Sequence, residues 1–130
     1  MKYLLDADWA ISFLNGRKEA VDLVTELADE GIALSIIAWG EIYEGLLVGG
    51  LGDHRLGQFE GFTNALDLIP PDIDVVRRYA RIRVHLRSEG QLLPDNDLWI
   101  AATALAYGLT LVSRDQHFFR IPDLVLYQQG

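Results

Sequence analysis

The sequence predicts an α/β fold with a mainly parallel central sheet. Three observations carry that expectation. Short apolar runs alternate with longer amphipathic ones along the whole chain, the pattern of strands joined by helical crossovers. Glycine and proline punctuate the seams, at Gly31, Gly49-Gly50, Gly52, Pro70-Pro71, Gly90 and Gly108. The chain has 130 residues, half of them hydrophobic, enough to bury one core and too apolar for disorder.

The elements follow in order. Lys2 to Asp6 reads as a strand and Trp9 to Leu14 as a short helix. Lys18 to Glu30 carries Val21, Leu23, Val24 and Leu27 at near-helical spacing, and Gly31 stops it. Ile32 to Ile36 is a second strand and Ile37 to Val48 a helix. His54 to Leu66 reads as a helix weakened by Gly57 and Gly61. Leu66 to Ile69 is a third strand, closed by Pro70-Pro71. Asp72 suits the N-cap of a long helix reaching Arg87. Asp97 to Tyr107 is a helix, Leu109 to Ser113 a strand and Leu124 to Tyr127 another. No repeat or long linker interrupts this pattern, so residues 1–130 are expected to form one domain.

Composition narrows the chemistry. Without cysteine, a disulfide scaffold, a thiolate zinc site and a cysteine nucleophile are excluded. The N-terminal apolar stretch is broken by Asp6 and Asp8, unlike a signal peptide. The longest apolar run, around Ile36 to Trp39, is too short to span a bilayer. A soluble protein of the cytoplasm is expected. Nineteen acids against eleven bases give a formal charge of −8, which argues against a generic nucleic-acid binder. It leaves room for an enzyme whose acids hold metal ions.

Four acids fall where an open α/β sheet builds its ligand site, beyond the carboxyl ends of strands. Asp6 closes the first strand, Glu41 lies early in the helix after the second, Asp97 begins a helix, and Asp115 follows LTLVS. Convergence would be costly alone: two like charges ~4 Å apart repel by ~4 kcal/mol at an effective dielectric near 20. A divalent cation removes that cost, and an oxygen-only ligand set suits Mg²⁺ or Mn²⁺. Such ions activate water and stabilise charge on a phosphoryl oxygen. Taken singly, Asp97 reads more readily as a helix cap than as a ligand, and Glu41 more readily as a solvated helix residue. Their recurrence in equivalent places gives the metal reading its weight.

The blocks LLDADWAISFL, SIIAWGEIYEGLL, NDLWIAATALAYG and LVSRDQHFFRIPDLVLY together resemble the motif blocks of PIN-domain ribonucleases, most of all the VapC-type toxins of toxin–antitoxin pairs. The resemblance spans nearly the whole chain in the right order. It implies a three-layer α/β/α fold and metal-dependent endoribonuclease activity. The family's acids fall on Asp6, Glu41, Asp97 and Asp115, the expected ligands of Mg²⁺ or Mn²⁺. Its Ser/Thr falls on Ser113, which would orient a water at the metal. It also implies an antitoxin partner and a homodimer. Ala7 stands where the family usually has a hydroxyl residue, and Asp8 where Asn or Asp is common. Asp8 and Asp95 are read as supporting or capping acids, with Asp8 the nearer to the site.

The basic stretch RRYARIRVHLR puts Val75, Tyr79, Ile82 and Leu86 on one buried stripe at ~100° per residue. Arg77, Arg78 and Arg81 share the outer face, either as a solvated surface or as a rim contacting RNA phosphates. His117 is expected to pack or cap, and His54 and His85 to lie on the surface or pack. Trp39, Ile42, Tyr43, Leu46 and Leu47 make one helix unusually apolar, divided between core and an interface.

Rival functions remain at this level. Asp6-Ala7-Asp8 could serve a phosphatase of the haloacid dehalogenase type, but that chemistry and that of receiver domains need a downstream lysine. The only lysines are Lys2 and Lys18. A housekeeping PIN-type RNA-processing nuclease and a non-catalytic RNA-binding domain also stay open.

Overall fold

The computed structural model describes residues 1–50 and 52–128. Strand β1 (Tyr3–Leu5) leads into helix α1 (Ala7–Leu14). Helix α2 (Lys18–Leu27) continues as a 3-10 turn, Ala28–Glu30, before strand β2 (Ile32–Ser35) and helix α3 (Ile36–Val48). Helix α4 (Asp53–Asn64), strand β3 (Asp67–Ile69) and helix α5 (Ile73–Ser88) follow. Helix α6 (Asp95–Tyr107), strand β4 (Thr110–Val112) and a 3-10 helix, Gln116–Arg120, complete the order.

The four strands form one sheet in the order β3-β2-β1-β4, and every pair is parallel. Leu5 lies opposite Val112 and Ser35 opposite Ile69, so the strands end nearly level. Successive side chains of a strand point to opposite faces. Every residue of β1 and β2 is buried, so helices cover both faces in a three-layer α/β/α arrangement, as parallel sheets require. The core joins Leu4, Leu5, Leu34 and Leu111 of the sheet to Leu86, Leu98 and Ile100 of the helices, all essentially inaccessible. Among the described residues no helix is long and apolar enough to cross a membrane.

The chain runs β1, β2, β3 in one direction and then crosses back to place β4 on the other side of β1. The sheet therefore switches direction between β1 and β4, where a crevice opens at the strand ends. Asp6 leaves β1 and Ser113 leaves β4 at that point.

Local chemistry sets the element ends. Gly31 has φ +90°, and a Cβ there would sit 2.8 Å from the Met1 Cα. Only glycine allows Lys2 and Tyr3 to donate to the Gly31 carbonyl at 3.0 and 3.2 Å. Asp72 caps α5 by accepting from the Val75 N–H at 2.9 Å, as its position predicts. The stripe of Val75, Ile82 and Leu86 is buried, and Tyr79 packs against it. Tyr79 stacks on Trp99 of α6 with ring centroids 3.8 Å apart and planes 5° from parallel.

Among the boundaries that differ from expectation, four have a clear local cause. The first helix starts at Ala7 rather than Trp9, because Asp6 accepts from the Ala7 N–H and caps it. The second strand stops at Ser35, whose hydroxyl accepts from the Ala38 N–H at 3.0 Å and starts α3 at Ile36. Helix α6 begins at Asp95 behind Pro94, so Asp97 lies in its first turn rather than at its start. The strand expected over Leu124 to Tyr127 reduces to one parallel bridge, Leu111 to Leu126. There Leu111 donates to Val125 and Tyr127 donates to Leu111, both at 2.9 Å. The sharp turn at Asp123, φ +67°, brings the tail alongside a three-residue edge strand only briefly.

Candidate active site

Asp6 is delivered by β1 and is 5 % exposed. Burying a carboxylate costs free energy unless its oxygens are satisfied. Both are: Oδ1 accepts from the Ala7 N–H at 2.8 Å, and Oδ2 accepts from the Ser113 hydroxyl at 2.7 Å. The backbone donor at Ala7 serves this acid without a hydroxyl side chain beside it. Asp6 is at once the cap of α1 and a wall of the crevice. Burial pushes its carboxyl above the usual range, the two hydrogen bonds oppose this, and the charges of Asp97 and Asp115 add to it.

Ser113 ties the two ends of the chain together. Its one proton goes to Asp6, and its oxygen accepts from the Asp115 N–H at 3.1 Å. That second bond shapes the turn which turns Asp115 toward the crevice.

Asp97 reaches the crevice from the first turn of α6, with its side chain 16 % exposed. Burial raises its carboxyl, the facing His117 imidazole lowers it, and Asp115 raises it. Glu41 comes from the second turn of α3 and is half-buried. Burial first, then the charges of Asp6 and Asp97, push it up to about 7, with the Asn96 side chain opposing. Its Oε1 is buried and has no hydrogen-bond partner. An unsatisfied buried oxygen beside two further acids is a costly arrangement in the protein alone, and it fits the donor set of a divalent cation.

His117 belongs to this cluster, which corrects the expectation that it only packs or caps. Its ring does pack edge-on against Phe118, centroids 5.0 Å apart. Its Nε2, however, lies 3.0 Å from Asp97 Oδ2 and 3.7 Å from Asp115 Oδ2. The closer approach lacks hydrogen-bond alignment, leaving Nε2 buried without a hydrogen-bond partner. Asp97, Asp115 and His117 place three potential ligand atoms within 4.8 Å of one another. The 3-10 helix after β4 brings the imidazole round, and nothing in the spacing of RDQHF signals that turn. Asn96 was likewise unmarked in the sequence.

The remaining candidates lie elsewhere. Asp8 is exposed and pairs with Arg114 at 2.9 Å. Asp95 is exposed, accepts from the Tyr79 hydroxyl at 3.2 Å and pairs with Arg83. Arg78 is half-buried and pairs with Asp74 at 3.4 Å, while Arg77 and Arg81 are exposed. Arg78 and Arg81 line a cleft with His85, Leu105 and Pro122, apart from the residues of the acidic crevice. His54 and His85 are exposed. On α3, Ile42 is core, Trp39 and Tyr43 stack at 5.2 Å and lean on the buried Phe59, and Leu47 is half in solvent.

Comparison with known proteins gives a consistent picture. The family model described as PIN domain matches residues 3–124. Ribonuclease VapC5 of Mycobacterium tuberculosis is 30 % identical over 88 % of this chain and 84 % of its own length. Ribonuclease VapC19 of the same species is 30 % identical over 93 % and 95 %. Among solved structures, VapBC2 of Rickettsia felis bound to a promoter DNA fragment superposes with a TM-score of 0.90 at 26 % identity. That match covers all of both chains.

Proposed function

This chain belongs to the PIN-domain family, and on that premise we propose that it is a divalent-metal-dependent endoribonuclease acting as the toxin of a type II toxin–antitoxin pair. Its relatives carry the name ribonuclease VapC, and a similar solved structure is of a VapBC pair. The observation that carries the metal reading is the buried, unpartnered Glu41 Oε1 beside Asp6 and Asp97. Carboxylate oxygens in that number suit Mg²⁺ or Mn²⁺.

The residues divide the work. Asp6, Glu41, Asp97 and Asp115 hold the ion. Bound there, a divalent cation lowers the pKa of water and stabilises negative charge on the phosphoryl oxygen. Ser113 is a positioning residue that fixes the Asp6 carboxylate through its hydroxyl. His117 places Nε2 within reach of both Asp97 and Asp115, at 3.0 and 3.7 Å, and so borders the ligand set. Phosphodiester hydrolysis needs a positioned, electrostatically stabilised phosphate more than a covalent nucleophile, and this crevice provides for that. Residues 1–130 act as one nuclease domain in the cytoplasm, as a homodimer held in check by an antitoxin protein.

The test is direct. Purified protein should cut single-stranded or structured RNA with Mg²⁺ or Mn²⁺, and EDTA should stop it. Asp6→Asn and Asp97→Asn should each lose most of the activity, on the order of a hundredfold or more, with the fold retained by circular dichroism. Parent-like cleavage by either variant would remove that residue from the site.

A further inference from the structure

A second cleft opens beside the acids, and the proposed chemistry does not use it. It holds about 270 Å³, and Ser113 and Asp115 are among its lining residues. Asp115 therefore belongs to both, with its carboxylate 3.7 Å from His117 and the residue lining this cleft. Beyond the aliphatic Val112 and Leu126, much of the rest is aromatic and amide: Trp9, Phe119, Tyr127, Gln116 and Gln128. Phe119 is 62 % exposed although its neighbour Phe118 is fully buried. An exposed phenyl ring at a cleft mouth offers solvent a free stacking face. The Trp9 ring is covered by the Arg114 guanidinium, 3.8 Å from its centroid, which presents a second flat surface.

We propose that this cleft receives a nucleobase adjoining the scissile phosphate and gives the enzyme a base preference at that position. The inference rests on the ribonuclease reading. Among the described lining residues the one cation, Arg114, is already paired with Asp8 and Glu19. Asp115 adds negative charge, so a phosphate or other anion is disfavoured. A base suits the lining: it is flat, neutral, and edged with donors and acceptors. Single-stranded RNA is recognised by stacking such bases on aromatic or guanidinium planes and hydrogen-bonding their edges. Phe119 supplies the plane. Gln116 and Gln128 each offer both a donor and an acceptor, which can read a base edge. A phosphodiester held at Asp6 and Asp115 leaves the adjoining base next to the cleft, because Asp115 belongs to both.

Cleavage of a randomised single-stranded RNA pool, with the cut ends sequenced, tests this. The parent should show a base preference at one position flanking the cut. Phe119→Ala should raise KM about tenfold, the scale of one lost stacking contact, and flatten that preference. Gln116→Leu should flatten it too. Phe119 is exposed, so its removal leaves the core intact. Unchanged preference in both variants overturns the assignment. So does a Phe119→Ala protein that cuts with the parent's preference but releases a co-purifying protein inhibitor, which would make the cleft a protein-docking surface. If the parent cuts no RNA, the ribonuclease reading fails. The cleft is then judged by the Gln116 and Gln128 side-chain amide NMR signals during titration with nucleoside 5′-monophosphates in EDTA. Shifts confined to one or two bases support it, and static signals refute it.

Discussion

The Ser113 hydroxyl donates to Asp6 Oδ2 at 2.7 Å across 107 positions of sequence. This bond joins the ends of two neighbouring parallel strands and decides where the most buried acid points. Ser113→Ala should lower kcat about 10- to 100-fold, the usual cost of removing a partner that orients a ligand. Ser113→Thr should restore most of the rate. Steady-state kinetics with matched thermal melts would separate this effect from a loss of fold.

Glu41 makes the metal-free protein pH-sensitive. Its carboxyl rises from 4.5 to about 7 on folding. Between those values the folded state holds a proton that the unfolded state has released, so stability falls as pH rises through that window. At about 1.4 kcal/mol per pH unit the full penalty would be at most ~3.5 kcal/mol. Partial solvent access reduces it to about 1–2 kcal/mol. In EDTA, Glu41→Gln should match the parent near pH 4 and be the more stable at pH 8. Urea melts across pH would show it. With Mn²⁺ the order should reverse, because the parent keeps the better site and ligand binding stabilises the folded state.

The arginines of α5 allow a salt test. If Arg77, Arg78 and Arg81 contact phosphates, changing all three to Gln should weaken RNA binding across sequences. It should also flatten the dependence of log affinity on log salt by roughly 2 to 3 units. Arg78 already pairs with Asp74, so its share should be the smallest. An unchanged slope assigns these side chains to a solvated face.

The partner prediction follows from the apolar surface of α3. Leu47 is 54 % and Val48 86 % exposed, whereas Trp39 and Tyr43 lean on Phe59. Co-expression with the product of an adjacent small reading frame should yield a co-purifying complex that no longer cuts RNA. Leu47→Asp should loosen that complex and leave cleavage by the free protein intact. Trp39→Ala should cost stability by about 2–4 kcal/mol as well, because it empties packed volume. Failure to associate, with harmless expression and intact cleavage in vitro, would turn the reading toward a housekeeping nuclease.

Much of this protein was legible before its structure. The alternation of strand and helix patterns, the cap at Asp72 and the buried stripe of α5 are local, and their periodicity is written along the chain. The four acids could be singled out because parallel sheets place ligands at strand ends, a rule needing only the order of elements. What tertiary structure decided depends on contacts between distant segments. Whether Leu124 to Tyr127 extends the sheet was settled by the turn at Asp123 and the shortness of β4. His117 joined the acids because a 3-10 helix carried its ring to Asp97, twenty positions back. Ser113 was visible as a hydroxyl beside an acid, but its proton's destination, Asp6, was not. Glu41 rises to about 7 because folding buries it near Asp6 and Asp97. Desolvation and Coulomb repulsion are properties of separation in space, and no spacing along a sequence fixes that separation.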